Sequence, residues 1–249
     1  MNLLFTRDLK TELADLEQVF KHSLLPWWDN IDNYVKNLKN DLTWMILPPV
    51  VMSIYQYTGH SRQLSISMSS IFRNCYLAHR IHGLVKDDDE GQQYDQDLQF
   101  NILLGDYISG RVLKALVETK TDYLLNDFAQ MIAEINQGMV IKHKLNGSFN
   151  QIIETTRVPF YATAFLTAAK LAGYDTECCQ IYRQMGYHFG MAIELGQDPI
   201  SQQQAQSHVH KCEHIFVKIH RGKSSNSSLE KAIRELHSHF CGLEEFAVV

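Results

Sequence analysis

At 249 residues with 45% hydrophobic side chains, the chain is long enough to bury a large core, and its composition excludes disordered, collagen-like and stalk architectures. A formal charge of -5 and an isoelectric point near 6.2 exclude a broad basic surface for nucleic acid, because neutralising phosphates requires clustered Lys and Arg. Five cysteines, with no C-x-x-C and only Cys178 and Cys179 adjacent, do not make a disulfide framework, so reduced thiols and a cytoplasmic location are expected.

The opening MNLLFTRDLKTEL places Arg7 and Asp8 straight after a short apolar run, so no signal peptide is expected there. The most apolar window, WMILPPVVMSIYQY, is too short to cross a bilayer and is interrupted by Pro48 and Pro49. QLSISMSS alternates as a strand would, yet Leu64, Met68 and Ile71 also share a helical face and no partner strand is apparent, so a helix is expected. In DYLLNDFAQMIAEINQG, Leu124, Leu125, Phe128, Met131, Ile132 and Ile135 form one stripe, with Asp122 placed as a cap and Gly138 as a stop. Ser148 with Gln151, and Ser227 with Glu230, have capping-box spacing and mark two further helix starts. Pro159 opens and Gly173 closes PFYATAFLTAAKLAG, and the next helix runs from a capping Asp175 to Gly196. GKSSNSS is too short a break to separate domains. The expectation is one all-α domain over residues 1–249, with about ten helices at ordinary helix lengths.

The stretch LVKDDDEGQQYDQDLQFNILLGDYISG carries four consecutive acids, Asp87 to Glu90. Carboxylates at i, i+1 and i+4 of a helix project to one side and can hold magnesium ions against the oxygens of a diphosphate. Asp87 and Asp88 supply the first two, while Gly91 stands at i+4. The plainer reading is a solvated acidic helix end. Against it, each acid at the negative end of a helix dipole costs about 0.3 kcal/mol or more unless a cation is near.

An apolar helix leading into Asp-Asp, a short polar loop and then FNILLGDYISG resembles the first half of the trans-type isoprenyl diphosphate synthase family. There, the first aspartate-rich motif is followed by a helix with a Leu-Ala-Gly-Asp-Tyr-like signature, which here is Leu103, Leu104, Gly105, Asp106 and Tyr107. AFLTAAKLAG resembles the family's Ala-rich helix, and GYHFGMAIELGQD the helix that ends in its second aspartate-rich motif, with Gly186 and Gly190 in matching places. The resemblance spans about residues 30 to 200 and implies an all-α, single-domain helical bundle of the isoprenoid synthase type.

The departures from the family pattern are as informative. The loop EGQQYDQDLQF has no arginine pair, the N-terminal counterpart of the basic element offers only Lys36 and Lys39, and Phe160 and Tyr161 stand where Lys-Thr is usual. The second set of acids reads Gln197, Asp198 and Ser201. Asp198 before Pro199 also has an ordinary explanation as a helix cap. In the family the basic groups would hold the diphosphate of isopentenyl diphosphate, and the two acid sets would hold magnesium against the leaving diphosphate. The resemblance therefore implies a severe loss, neutralisation of the leaving group being worth several kcal/mol.

A short loop without arginines joined to LLGDYISG looks most like the small subunit of the two-component hexaprenyl and heptaprenyl diphosphate synthases. That resemblance implies a regulatory chain, inactive alone, paired with a catalytic large subunit that handles the prenyl diphosphate chain. It further implies a remnant magnesium site at Asp87 and Asp88, a last acid of the second set at Asp198, substrate contacts at Asp106 and Lys86, and an apolar pairing face within FNILLGDYISGRVLKALV. The alternative is a self-contained magnesium-dependent prenyltransferase using Asp87 and Asp88, with Asp106 as an added acid.

A third pattern lies in HVHKCEHIFVKIH, where His210, Glu213 and His214 match the His-x-x-Glu-His of inverted-motif zinc peptidases. An amphipathic helix burying Val209, Ile215, Phe216 and Ile219 explains the same residues. His237, His239 and Cys241 add ligand types without a recognisable spacing. Trp27, Trp28, Trp44, Phe160, Tyr161, Tyr187 and Phe189 read as core aromatics before they read as the lining of a tunnel. No G-x-S-x-G elbow, P-loop or G-x-G-x-x-G is present.

Overall fold

The computed structural model describes residues 4–85, 96–220 and 227–242. Eleven α-helices and no strand occur among them: α1 (Lys10–Ser23), α2 (Trp28–Asn37), α3 (Leu42–Tyr57), α4 (Arg62–His82), α5 (Gln96–Glu118), α6 (Leu125–Lys144), α7 (Phe149–Thr156), α8 (Val158–Leu171), α9 (Thr176–Leu195), α10 (Gln202–His220) and α11 (Ser228–Phe240). QLSISMSS lies within α4, as its helical face implied. No described helix is long and apolar enough to cross a membrane.

The most buried helices are α3 and α8, which pack on each other at the centre. Around them, α4 packs on α3, α9 packs on α8, and α5 lies outside α4. The two prolines do not interrupt α3. An interior proline costs about 3 kcal/mol, but twelve of the sixteen residues of α3 are buried, and each fully buried Val, Leu or Ile returns about 1.5–3 kcal/mol. Tertiary packing therefore outweighs the local cost.

Most predicted starts and stops hold. Ser148 accepts from Gln151 N at 3.3 Å, Ser227 from Glu230 N at 3.1 Å and Asp175 from Cys178 N at 2.8 Å, each a side-chain cap for an otherwise unpaired first-turn N–H. Gly173 closes its helix with φ +75°, a left-handed position that favours glycine. Two expectations fail. Asp122 does not cap α6 but opens a short 3-10 turn, Asp122–Leu124, that runs into it. Gly138 does not stop α6, which continues to Lys144. A Cβ at Gly138 would sit 2.6 Å from Thr155 Oγ1 and 2.8 Å from the Thr155 carbonyl carbon, so this glycine is where α7 crosses closely over α6.

Candidate functional site

Within the apolar run of α9, Glu194 carries the one charge between Gly190 and Gly196, and it is completely buried. Thr43 of α3 donates to Oε1 at 2.6 Å and Tyr161 of α8 donates to the same oxygen at 3.0 Å. Arg157, at the junction of α7 and α8, reaches Oε2 at 3.2 Å and Thr43 Oγ1 at 3.2 Å. Burial pushes the Glu194 carboxyl above the usual carboxylate range, opposed by Arg157, Thr43 and Tyr161. Tyr161 is pushed well up, first by burial and then by Glu194, and so remains a hydroxyl donor.

Beside this network a cavity of about 410 Å³ opens between the last turns of α4, the end of α6, α7 and Arg157. Its wall carries cations, Arg80 from α4, Lys142 from α6 and Arg157, gathered around His79 of α4. Arg80 lies 3.7 Å from Asp41, whose other oxygen caps α3 through Trp44 N at 3.0 Å and accepts from Tyr76 at 2.8 Å. The Arg80 Nε is buried and has no hydrogen-bond partner among the described residues. Burial, followed by Arg80, Arg157, Lys142 and His82, brings His79 down to about 4, so it is neutral near pH 7. Such a wall is complementary to an anion, and a planar guanidinium can receive two oxygens at once.

Among the residues expected from sequence, Lys86, Asp87 and Asp88 lie outside the described residues. Asp106 is on α5, its carboxylate 3.2 Å from His82 Nε2, and is not part of the cavity wall. The rest of its signature holds α5 in place: a Cβ at Gly105 would fall 2.2 Å from His82 Nε2, and Tyr107 donates to the Leu25 carbonyl at 2.7 Å. Asp198 caps the turn before α10, accepting from Ile200 N at 3.2 Å and from the Ser201 hydroxyl at 2.8 Å. Phe160, Tyr161 and Phe189 are core residues. His210 and Glu213 do come together, but the ligand types grouped with them are His237 of α11 and Cys241 just after it, and His214 is not in that group.

Sequence reading missed the Glu194 network and the cationic wall. A lone glutamate in GMAIELG was a usable signal, because an unpaired buried carboxylate is too costly to keep. The wall left no such signal, since Arg80, Lys142 and Arg157 come from three separate segments.

Outside the core, α5 presents Leu103, Leu113 and Val117 to solvent at 67%, 51% and 59% exposure, and α6 presents Leu125, Ile132 and Val140. On each helix these residues fall on one face.

No family model matches the chain, and no curated protein matches it. Solved structures do. A polyprenyl synthase from Caulobacter crescentus CB15, complexed with calcium and isoprenyl diphosphate, superposes with a TM-score of 0.75 at 15% identity, covering 96% of this chain and 98% of that one. Geranylgeranyl pyrophosphate synthase from Lactobacillus brevis gives 0.72 at 12% identity, covering 96% and 99%. The geranyl diphosphate synthase small subunit from Antirrhinum majus gives 0.64 at 15% identity, covering 95% and 98%. The chain therefore has the all-α fold of the trans-prenyl diphosphate synthases over nearly its whole length.

Proposed function

We propose that this protein is the non-catalytic, regulatory small subunit of a heteromeric trans-polyprenyl diphosphate synthase, acting beside a catalytic large subunit in isoprenoid chain elongation. The observation that carries this reading is the state of the carboxylates at the end of α9. Asp198 is taken up by the turn it caps, and Glu194 by Thr43, Tyr161 and Arg157. Bridging a magnesium ion to a leaving diphosphate requires carboxylate oxygens presented to the cavity. At that end of the cavity the protein presents Arg157 instead.

Two further features support the reading. The cationic wall suits the anionic headgroup of a prenyl diphosphate held by protein donors, with any magnesium at Asp87 and Asp88 belonging to a weaker remnant site or to the partner's chemistry. The apolar faces of α5 and α6 suit burial against a second prenyl synthase chain. A small subunit of a geranyl diphosphate synthase with this fold is a precedent for the assignment.

Sedimentation of the purified chain with the catalytic polyprenyl synthase of the same organism tests the pairing. A stoichiometric heteromer is expected, dissociated by Leu103→Asp with Val117→Asp. A chain that stays monomeric beside every such synthase overturns the assignment.

A further inference from the structure

The C-terminal helix is joined to α10 by a group of residues that the prenyl synthase reading does not use. His210 on α10 and His237 and Cys241 at the end of α11 each offer a ligand atom, and these atoms all lie within 4.8 Å of one another. Cys241 Sγ is 3.7 Å from His210 Nε2. With metal–nitrogen bonds of about 2.0–2.1 Å and a metal–sulfur bond of about 2.3 Å, tetrahedral ligand atoms are separated by about 3.5 Å. The observed spacing needs only a small closure to reach that geometry.

Glu213 supplies a second, independent indication. Its Oε1 lies 2.5 Å from His237 Nδ1 and its Oε2 3.6 Å from His210 Nδ1, so one carboxylate sits at ion-pair distance from both imidazoles without being aligned for a hydrogen bond to either. A carboxylate beside a ligating imidazole is the usual outer-shell partner of such sites, and a small turn of the His237 ring would align its Nδ1–H with Glu213. His237 is buried, which holds the pair in place, while His210 is exposed and leaves an entry path.

We propose that His210, His237 and Cys241 form a site for a zinc-type divalent cation, with Glu213 as the positioning carboxylate. The donor set selects the metal: a thiolate and two imidazoles favour zinc over magnesium or calcium, which take oxygen ligands. On binding, the Cys241 thiol loses its proton to solvent and the sulfur bonds the metal, with no redox change. The site bridges α10 to the last turn of α11, so metal binding fastens the C-terminal helix to the bundle. Glu213 then orients the ligands and is not the base of a peptidase.

The test is metal analysis of the full-length chain after dialysis against zinc, with cobalt substitution as the spectroscopic readout. One zinc per chain is expected, together with the intense visible bands and sulfur-to-metal charge transfer of tetrahedral cobalt thiolate. Zinc is expected to raise the melting temperature of the wild-type chain. Glu213→Gln should weaken binding by about 10–100-fold, the range typical of lost outer-shell partners, and His210→Ala and Cys241→Ser by more than about 100-fold. His210 is exposed, so its alanine variant is not expected to compromise folding. His214→Ala should bind as wild type does. No stoichiometric metal, binding unchanged in His210→Ala and Cys241→Ser, or loss in His214→Ala instead would each overturn the site.

Discussion

Two polar regions lie side by side in the bundle, and they are opposite in kind. At Glu194 a single buried carboxylate is enclosed by donors from Thr43, Tyr161 and Arg157. In the adjoining cavity, cations from Arg80, Lys142 and Arg157 gather around a histidine that burial and those same cations keep neutral. The first region is closed and its charge is satisfied; the second is open and has donors in excess. Arg157 belongs to both, which makes it the residue through which one region can be disturbed by way of the other.

The largest expected effect follows from removing that shared residue. Arg157→Met leaves the Glu194 carboxylate buried beside only two neutral donors, and breaking a buried ion pair from one side costs about 3–5 kcal/mol. Urea unfolding should show this loss, and Arg157→Met combined with Glu194→Gln should recover much of it. If the single variant is as stable as wild type, the network does not hold the site together.

The cavity side is addressed by pH. His79 has a folded-state value of about 4, below its ordinary 6.5, so the unfolded chain binds the extra proton first. Its contribution to stability is complete above about pH 6.5 and is lost as pH falls toward 4, by up to about 3 kcal/mol for a shift of this size. The urea midpoint should fall over that interval, and His79→Leu should flatten the slope. His188, also brought down to about 4 by burial and by His208, adds to the same slope and is separated by its own variant.

Two smaller changes address the wall between α6 and α7. Gly138→Ala forces its new methyl against Thr155, and overpacking of this kind costs about 1–3 kcal/mol. Ser148→Ala removes the cap of α7 and should cost about 1 kcal/mol. Both should lower the melting temperature. With sodium diphosphate as the anion and no magnesium, Lys142→Ala should bind several-fold more weakly, whereas Gln130→Ala, on the same helix but not on the cavity wall, should not.

Much of the bundle was legible because caps are local. Ser148, Ser227 and Asp175 announce their helices through hydrogen bonds made three residues away, and the structure makes each of them. Gly138 misled for a physical reason: a glycine that ends a helix and one that admits a crossing helix look alike in one dimension. Asp198 was legible as a cap from Asp-Pro alone. The cationic wall was not, because its members meet only when α4, α6 and the start of α8 converge. The grouping of His210 with His237 and Cys241 was half visible: the residue types stood out, while their partnership depended on α11 lying against α10.

The most direct test of the accessory role is turnover by the purified chain alone, supplied with labelled isopentenyl diphosphate, farnesyl diphosphate and magnesium. No elongated product is expected from the chain by itself, and product is expected once a catalytic large subunit, inactive alone, is added. Elongation by the isolated chain that disappears in Asp88→Ala would contradict the accessory role and identify a complete enzyme.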